Sequence, residues 1–130
     1  RPAAIGSGAD ARRTPFEGAS MKVGIIRCMQ TEDICPGTRC LRTAAAGIEG
    51  FEPVGPSEVI GIISCGGCPG KKAVARALDM VKRGAEAVVF SSCMTRGIPW
   101  QYRCPHAEQI RKSVEALTGG KTKIIDWTHA

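Results

Sequence analysis

Ile62–Lys72 reads IISCGGCPGKK. An apolar run, Val59–Ile63, gives way to Cys65, two glycines, Cys68, a proline and a lysine pair. The pattern predicts a strand, a tight turn carrying two thiols, and the start of a helix. Gly66 and Gly67 let the turn close and leave backbone N–H groups available to sulfur or an anion. Pro69 suits the first turn of a helix, where its missing N–H is not needed. Cys68 then stands at a helix N-terminus beside Lys71 and Lys72, where the dipole and the cations favour the thiolate.

Working outward, the same unit repeats. Lys22–Arg27 is a short apolar strand ending at Cys28, followed by a loop, Met29–Pro36, and a predicted helix, Gly37–Ile48, with Leu41, Ala44, Ala45 and Ile48 on one face. Glu58–Ser64 is the second strand. The second helix carries Ala73, Val74, Ala77, Leu78 and Val81 as its apolar stripe and stops at Gly84. Ala85–Ser91 is the third strand, ending at Cys93. A third helix spans His106–Leu117, and Lys123–Asp126 is the fourth strand. This β-α-β-α-β-α-β alternation predicts an α/β fold with a four-stranded parallel sheet and helices on its faces. Continuous apolar strands fit a sheet covered on its two sides. The expected order is 2-1-3-4, flavodoxin-like, with a switch point between strands one and three. Residues 1–20 lack periodicity and read as a disordered leader or a vector-derived scar, which leaves 21–130 as the domain.

In a parallel sheet all strand ends point one way. Cys28, Cys65 with Cys68, Cys93 and His129 each follow a different strand, so they converge on the carboxyl edge, where open α/β sheets bind ligands. Cys35 and Cys40 flank the start of the first helix, and Cys104 and His106 the start of the third. These pairs supply either a second ligand set or additions to the first.

Composition narrows the classes. The chain has 130 residues, enough for one core, and a net charge of +6. Its basic residues are scattered, with one aromatic-basic cluster at Trp100–Arg103, so solvated helix faces explain them better than nucleic acid does. No apolar run approaches the roughly 20 residues of a membrane span. Seven cysteines, an odd number, without a secretion signal, favour metal-binding or catalytic thiols in a reducing compartment, the cytoplasm.

Plainer roles compete at several positions. Cys40, among alanines, also reads as a packed core residue. His106 also reads as a helix-start residue and His129 as a solvated one. Trp100 and Trp127 read as packing residues. Arg96 is either an anion ligand at the site edge or a loop charge. A Cys-x2-Cys pair alone serves zinc, iron–sulfur and thiol–disulfide chemistry. The Cys-x5-Arg loop of small phosphatases is absent: Ile34, Lys71 and Pro99 occupy the arginine position after Cys28, Cys65 and Cys93. There is also no Walker-type loop.

The sequence resembles the CGGC-domain family. The resemblance rests on KVGIIRC at Lys22–Cys28, CPGTRC at Cys35–Cys40, SCGGCPGKKA at Ser64–Ala73, SSCMTRG at Ser91–Gly97, CPH at Cys104–His106 and IDWTH at Ile125–His129. It implies metal binding through cysteines and histidines. The expected function is therefore a cysteine-ligated metal protein. Cys28, Cys65, Cys68 and Cys93 are the primary ligands, and Cys35, Cys40, Cys104, His106 and His129 are supporting or second-site ligands. Gly66, Gly67 and Arg96 border the cofactor. Zinc and an iron–sulfur cluster fit the donors equally, and an open iron would accept a small sulfur- or oxygen-containing ligand. The alternative is a thiol–disulfide or sulfur-transfer enzyme that uses Cys65 and Cys68. A third reading is an interaction module whose metal only holds the fold.

Overall fold

The computed structural model describes residues 21–130; the expectation for 1–20 lies outside them. In chain order the regular elements are β1 (Met21–Arg27), α1 (Thr38–Ala46), β2 (Ser57–Ser64), α2 (Lys71–Lys82), β3 (Ala87–Phe90), the one-turn α3 (Ser92–Thr95), α4 (Ala107–Leu117) and β4 (Lys123–Ile125). The strands form one sheet in the order β2-β1-β3-β4. Every pairing is parallel, as the alternation predicts.

Side-chain alternation along the central strands divides the core. Val23 and Ile25 of β1, with Ala87 and Val89 of β3, pack against Cys40 and Ala44 of α1. Ile26, Val88 and Phe90 face the other way, onto Ala73, Ala77 and Met80 of α2 and Ile110 and Val114 of α4. The chain moves outward from β1 to β2, then reverses through β3 to β4. Crossovers of one hand therefore put α1 on one face and α2 with α4 on the other.

Several local expectations change. The buried face of α1 is Cys40, Thr43 and Ala44, whereas Leu41 and Ile48 are 39% and 49% exposed. Phe51, in the turn after α1, is fully buried in that cluster and supplies the bulk expected of Leu41. The helix stops early because Gly47 is left-handed, with φ 70°. Pro69 is not in the first turn of α2. Gly70, at φ 94°, is its N-cap, and Lys71 is its first residue, so Cys68 precedes the helix instead of capping it. The third strand is shorter than expected, because the Ala85 N–H turns back to the Met80 carbonyl at the end of α2. The second strand is not covered on its two sides: β2 is an edge strand, and Ile62 and Ile63 are more than one-third exposed.

Gly24 and Gly50 are among the glycines required by close approach. A Cβ at Gly24 of β1 would lie 2.6 Å from the Met80 sulfur, so the thioether of α2 lies directly on the strand. A Cβ at Gly50 would lie 1.9 Å from the Trp127 carbonyl oxygen. Gly50 also donates its N–H to the Thr128 carbonyl at 3.2 Å. That contact holds the segment after β4 in place, and a methyl group there meets rigid backbone. Gly50→Ala is expected to cost about 2 kcal/mol or more, read as a lowered urea midpoint. Gly119→Ala, where a Cβ meets open space, should cost less, through its positive φ alone.

Candidate functional site

The site is assembled by backbone hydrogen bonds that continue beyond the strand ends. Cys65 donates its N–H to the Arg27 carbonyl at 2.7 Å, and Ser91 donates to Ile26 at 3.0 Å. These bonds set the residues after β2 and β3 beside those after β1. The Cys28 N–H then donates to the Cys93 sulfur at 3.2 Å, and that sulfur is 2.8 Å from the Ser91 hydroxyl. Cys93 is in the single turn of α3 rather than at the very end of the third strand. Next, the chain folds back: Cys104 donates its N–H to the Met94 carbonyl at 2.8 Å. Gly97 permits this return, since a Cβ there would lie 2.6 Å from the Tyr102 nitrogen.

The result is a cavity of about 260 Å³ bordered by Cys28, Cys65, Cys68, Cys93 and Cys104. Cys68 is exposed and the other four are half-buried. Trp100 and Tyr102 form part of its wall, and the Trp100 indole N–H donates to the Thr31 hydroxyl at 2.7 Å. This place for Trp100 is not foreseen in the sequence, where it reads as a packing residue in the aromatic-basic cluster Trp100–Arg103. Gly67 borders the cavity. Gly66 does not have the free N–H expected of it, because it donates to the Ser64 hydroxyl at 3.3 Å.

The other sequence-predicted residues lie elsewhere. Cys35, Cys40 and His129 border a second cavity of about 310 Å³, and Cys93 borders this one as well. The buried Cys40 thiol donates to Thr128 Oγ1 at 3.2 Å. His106 is the N-cap of α4; its backbone N–H donates to the Cys104 sulfur at 3.4 Å, and its ring borders neither cavity. Arg96 lies over the Trp127 ring, 4.0 Å from its centroid, beside Arg111 and Asp126 and away from the thiols.

The donor chemistry suits a thiophilic metal, since five soft ligands share one space. As the side chains stand, no three His, Cys, Asp or Glu groups among the described residues are close enough together to hold an ion. Burial pushes the Cys104 thiol above its ordinary pKa; the His106 N–H opposes this, and nearby Cys65, Cys68 and Cys28 add to it. Burial likewise raises Cys40, against its bond to Thr128.

A small parallel α/β sheet with a cysteine-rich carboxyl edge defines the class of protein. Residues 22–129 match the CGGC domain, and the chain belongs to that family. It is 33% identical over 118 residues to the uncharacterized protein MJ0582 of Methanocaldococcus jannaschii, covering 84% of this chain and 87% of that protein. It is 37% identical over 57 residues to MJ0766 of the same organism, covering 43% of this chain and 82% of that one. No solved structure matches. No helix among the described residues is long and apolar enough to cross a membrane.

The raised Cys40 pKa has a definite sign. The folded state holds this proton more tightly than the unfolded state does. The stability it contributes is complete below the ordinary thiol value of about 9 and is lost as pH rises through the folded value. Thermal midpoints should fall on alkaline titration past that point, and less steeply in Cys40→Ala than in the parent. Equal slopes in the two proteins would remove Cys40 as a source.

Proposed function

We propose that this chain is a metal-binding protein whose centre, zinc or an iron–sulfur cluster, is held by thiolates in the first cavity. The observation that supports this reading is that five of the seven cysteines, from four separate segments, border one space of about 260 Å³. Cys28, Cys65, Cys68 and Cys93 are the primary ligands, and Cys104, which borders the same cavity, is a further donor. A metal held here would take the place of thiol protons, so affinity is expected to rise with pH. Four thiolates on zinc serve structure, storage or transfer. A cluster with one open iron would supply Lewis-acid chemistry toward a small sulfur- or oxygen-containing ligand. Seven free thiols suit the reducing cytoplasm.

A second reading is favoured by the graded exposure of Cys68 and Cys65. The exposed Cys68 thiolate attacks a substrate disulfide, forming a mixed disulfide and releasing one substrate thiolate. The half-buried Cys65 thiolate then displaces the second. The substrate gains two electrons, and a Cys65–Cys68 disulfide remains.

Anaerobic purification followed by metal analysis and a visible spectrum tests the first reading. Iron with acid-labile sulfide and a brown colour identifies a cluster, and colourless stoichiometric zinc identifies zinc. Cys28→Ser and Cys65→Ser should each weaken metal retention by about tenfold or more, while Cys40→Ser, outside this cavity, should retain full content. If neither metal copurifies or rebinds to the reduced protein, the metal reading fails. The redox reading then requires that oxidised glutathione produce a Cys65–Cys68 disulfide.

A further inference from the structure

The second cavity carries a cation that no carboxylate among the described residues offsets. Arg27 closes β1, is half-buried, and borders this cavity of about 310 Å³. Its guanidinium donates to the Cys35 carbonyl, and Nη1 would lie 3.4 Å from a Cβ built on Gly37. The group is therefore held in place at the start of α1. Among the described residues it has no carboxylate partner, and no Asp or Glu borders the cavity.

The surrounding charges have the same sign. Arg39 also borders the cavity; its guanidinium is 3.7 Å from Glu49, which lies outside the lining. Glu32 and Asp33, in the turn next to Thr31, are exposed and do not border it. α1 begins at this wall with Gly37 as N-cap and no side-chain cap, which adds the positive end of its dipole. A half-buried cation left uncompensated is costly, and an anion removes that cost. The remaining wall is apolar, with Ile34, Ile62 and Ile98. The cavity lies at the carboxyl ends of β1 and β3, the switch point of the sheet, where doubly wound sheets take ligands.

We propose that this cavity is a binding site for a small organic carboxylate, its anionic end on Arg27 and its apolar body against Ile34, Ile62 and Ile98. The site is independent of any metal in the first cavity, although Cys93 borders the two. The guanidinium fork matches carboxylate geometry, and the isoleucines disfavour a fully hydrated inorganic anion.

The test is a titration of the full chain with sodium butyrate, 1-butanol and sodium sulfate at constant ionic strength, followed by amide NMR. Butyrate should cause saturable shifts at Gly37, Thr38, Arg39 and Cys40. 1-Butanol, the neutral analogue, should bind at least about tenfold more weakly, as should sulfate. Arg27→Gln should weaken butyrate binding by about tenfold, the effect of one lost charge-assisted hydrogen bond, and Arg27→Lys should restore part of it. Butanol equal to butyrate, no saturable shift, or a folded Arg27→Gln binding within twofold of the parent would overturn the site. Sulfate equal to butyrate would overturn the carboxylate assignment. If Arg27→Gln does not fold, the butyrate–butanol comparison in the parent protein decides.

Discussion

The thiol rim depends on a hydrogen-bond ladder that runs past the ends of its own strands. The Cys65 N–H on the Arg27 carbonyl, and the Ser91 N–H on the Ile26 carbonyl, are ordinary parallel pairings. They occur where side chains have begun to diverge from strand geometry. Without them the residues after β1, β2 and β3 would be three independent loops, each paying its own ordering entropy. With them, Cys28, Cys65 and Cys93 inherit the rigidity of the sheet. Cys104 joins by a different route, a chain reversal closed by one bond to Met94.

Gathering thiols has an electrostatic consequence. Each thiol that ionises in a shared, partly desolvated space makes the next ionisation harder. This is why Cys65, Cys68 and Cys28 all push Cys104 upward. Burial first, and these neighbours second, favour the protonated form of Cys104. A cation in the cavity reverses that, because it replaces several protons with one centre of higher charge. The chemistry of the rim is thus conditional on what it holds.

The topology was legible because its signal is redundant. Four apolar runs separated by helical periodicities leave few arrangements, and parallel direction then carries Cys28, Cys65, Cys68 and Cys93 to one edge. What was not legible depended on contacts between segments distant in sequence. Leu41 and Ile48 have the right spacing for a core stripe of α1, but Phe51 arrives from the following turn and takes that space. Pro69 is a good helix initiator by local rules, yet Gly70 can adopt φ 94° and becomes the cap instead. Cys104 reads as a loop cysteine because nothing in its neighbours announces that the chain returns to Met94. Arg27 reads as the polar end of a strand, since the lack of a carboxylate partner among the described residues is a property of the fold and not of its own segment.

Cys93 is where these separate constraints meet. It follows β3, a central strand next to the switch point, and it borders the cavity on each side. Its sulfur is already engaged by the Cys28 N–H and the Ser91 hydroxyl, so it is held in place from the β1 side and from its own turn. Ser92, the residue before it, is fully buried and accepts the N–H groups of Thr128 and His129 at 3.0 and 3.1 Å. Thr128 in turn receives the Cys40 thiol. The residue beside Cys93 is thus bonded to the segment after β4, and that segment to the buried face of α1. This one-turn helix therefore joins the thiol rim, one wall of the Arg27 cavity and the segment after β4 through shared hydrogen bonds.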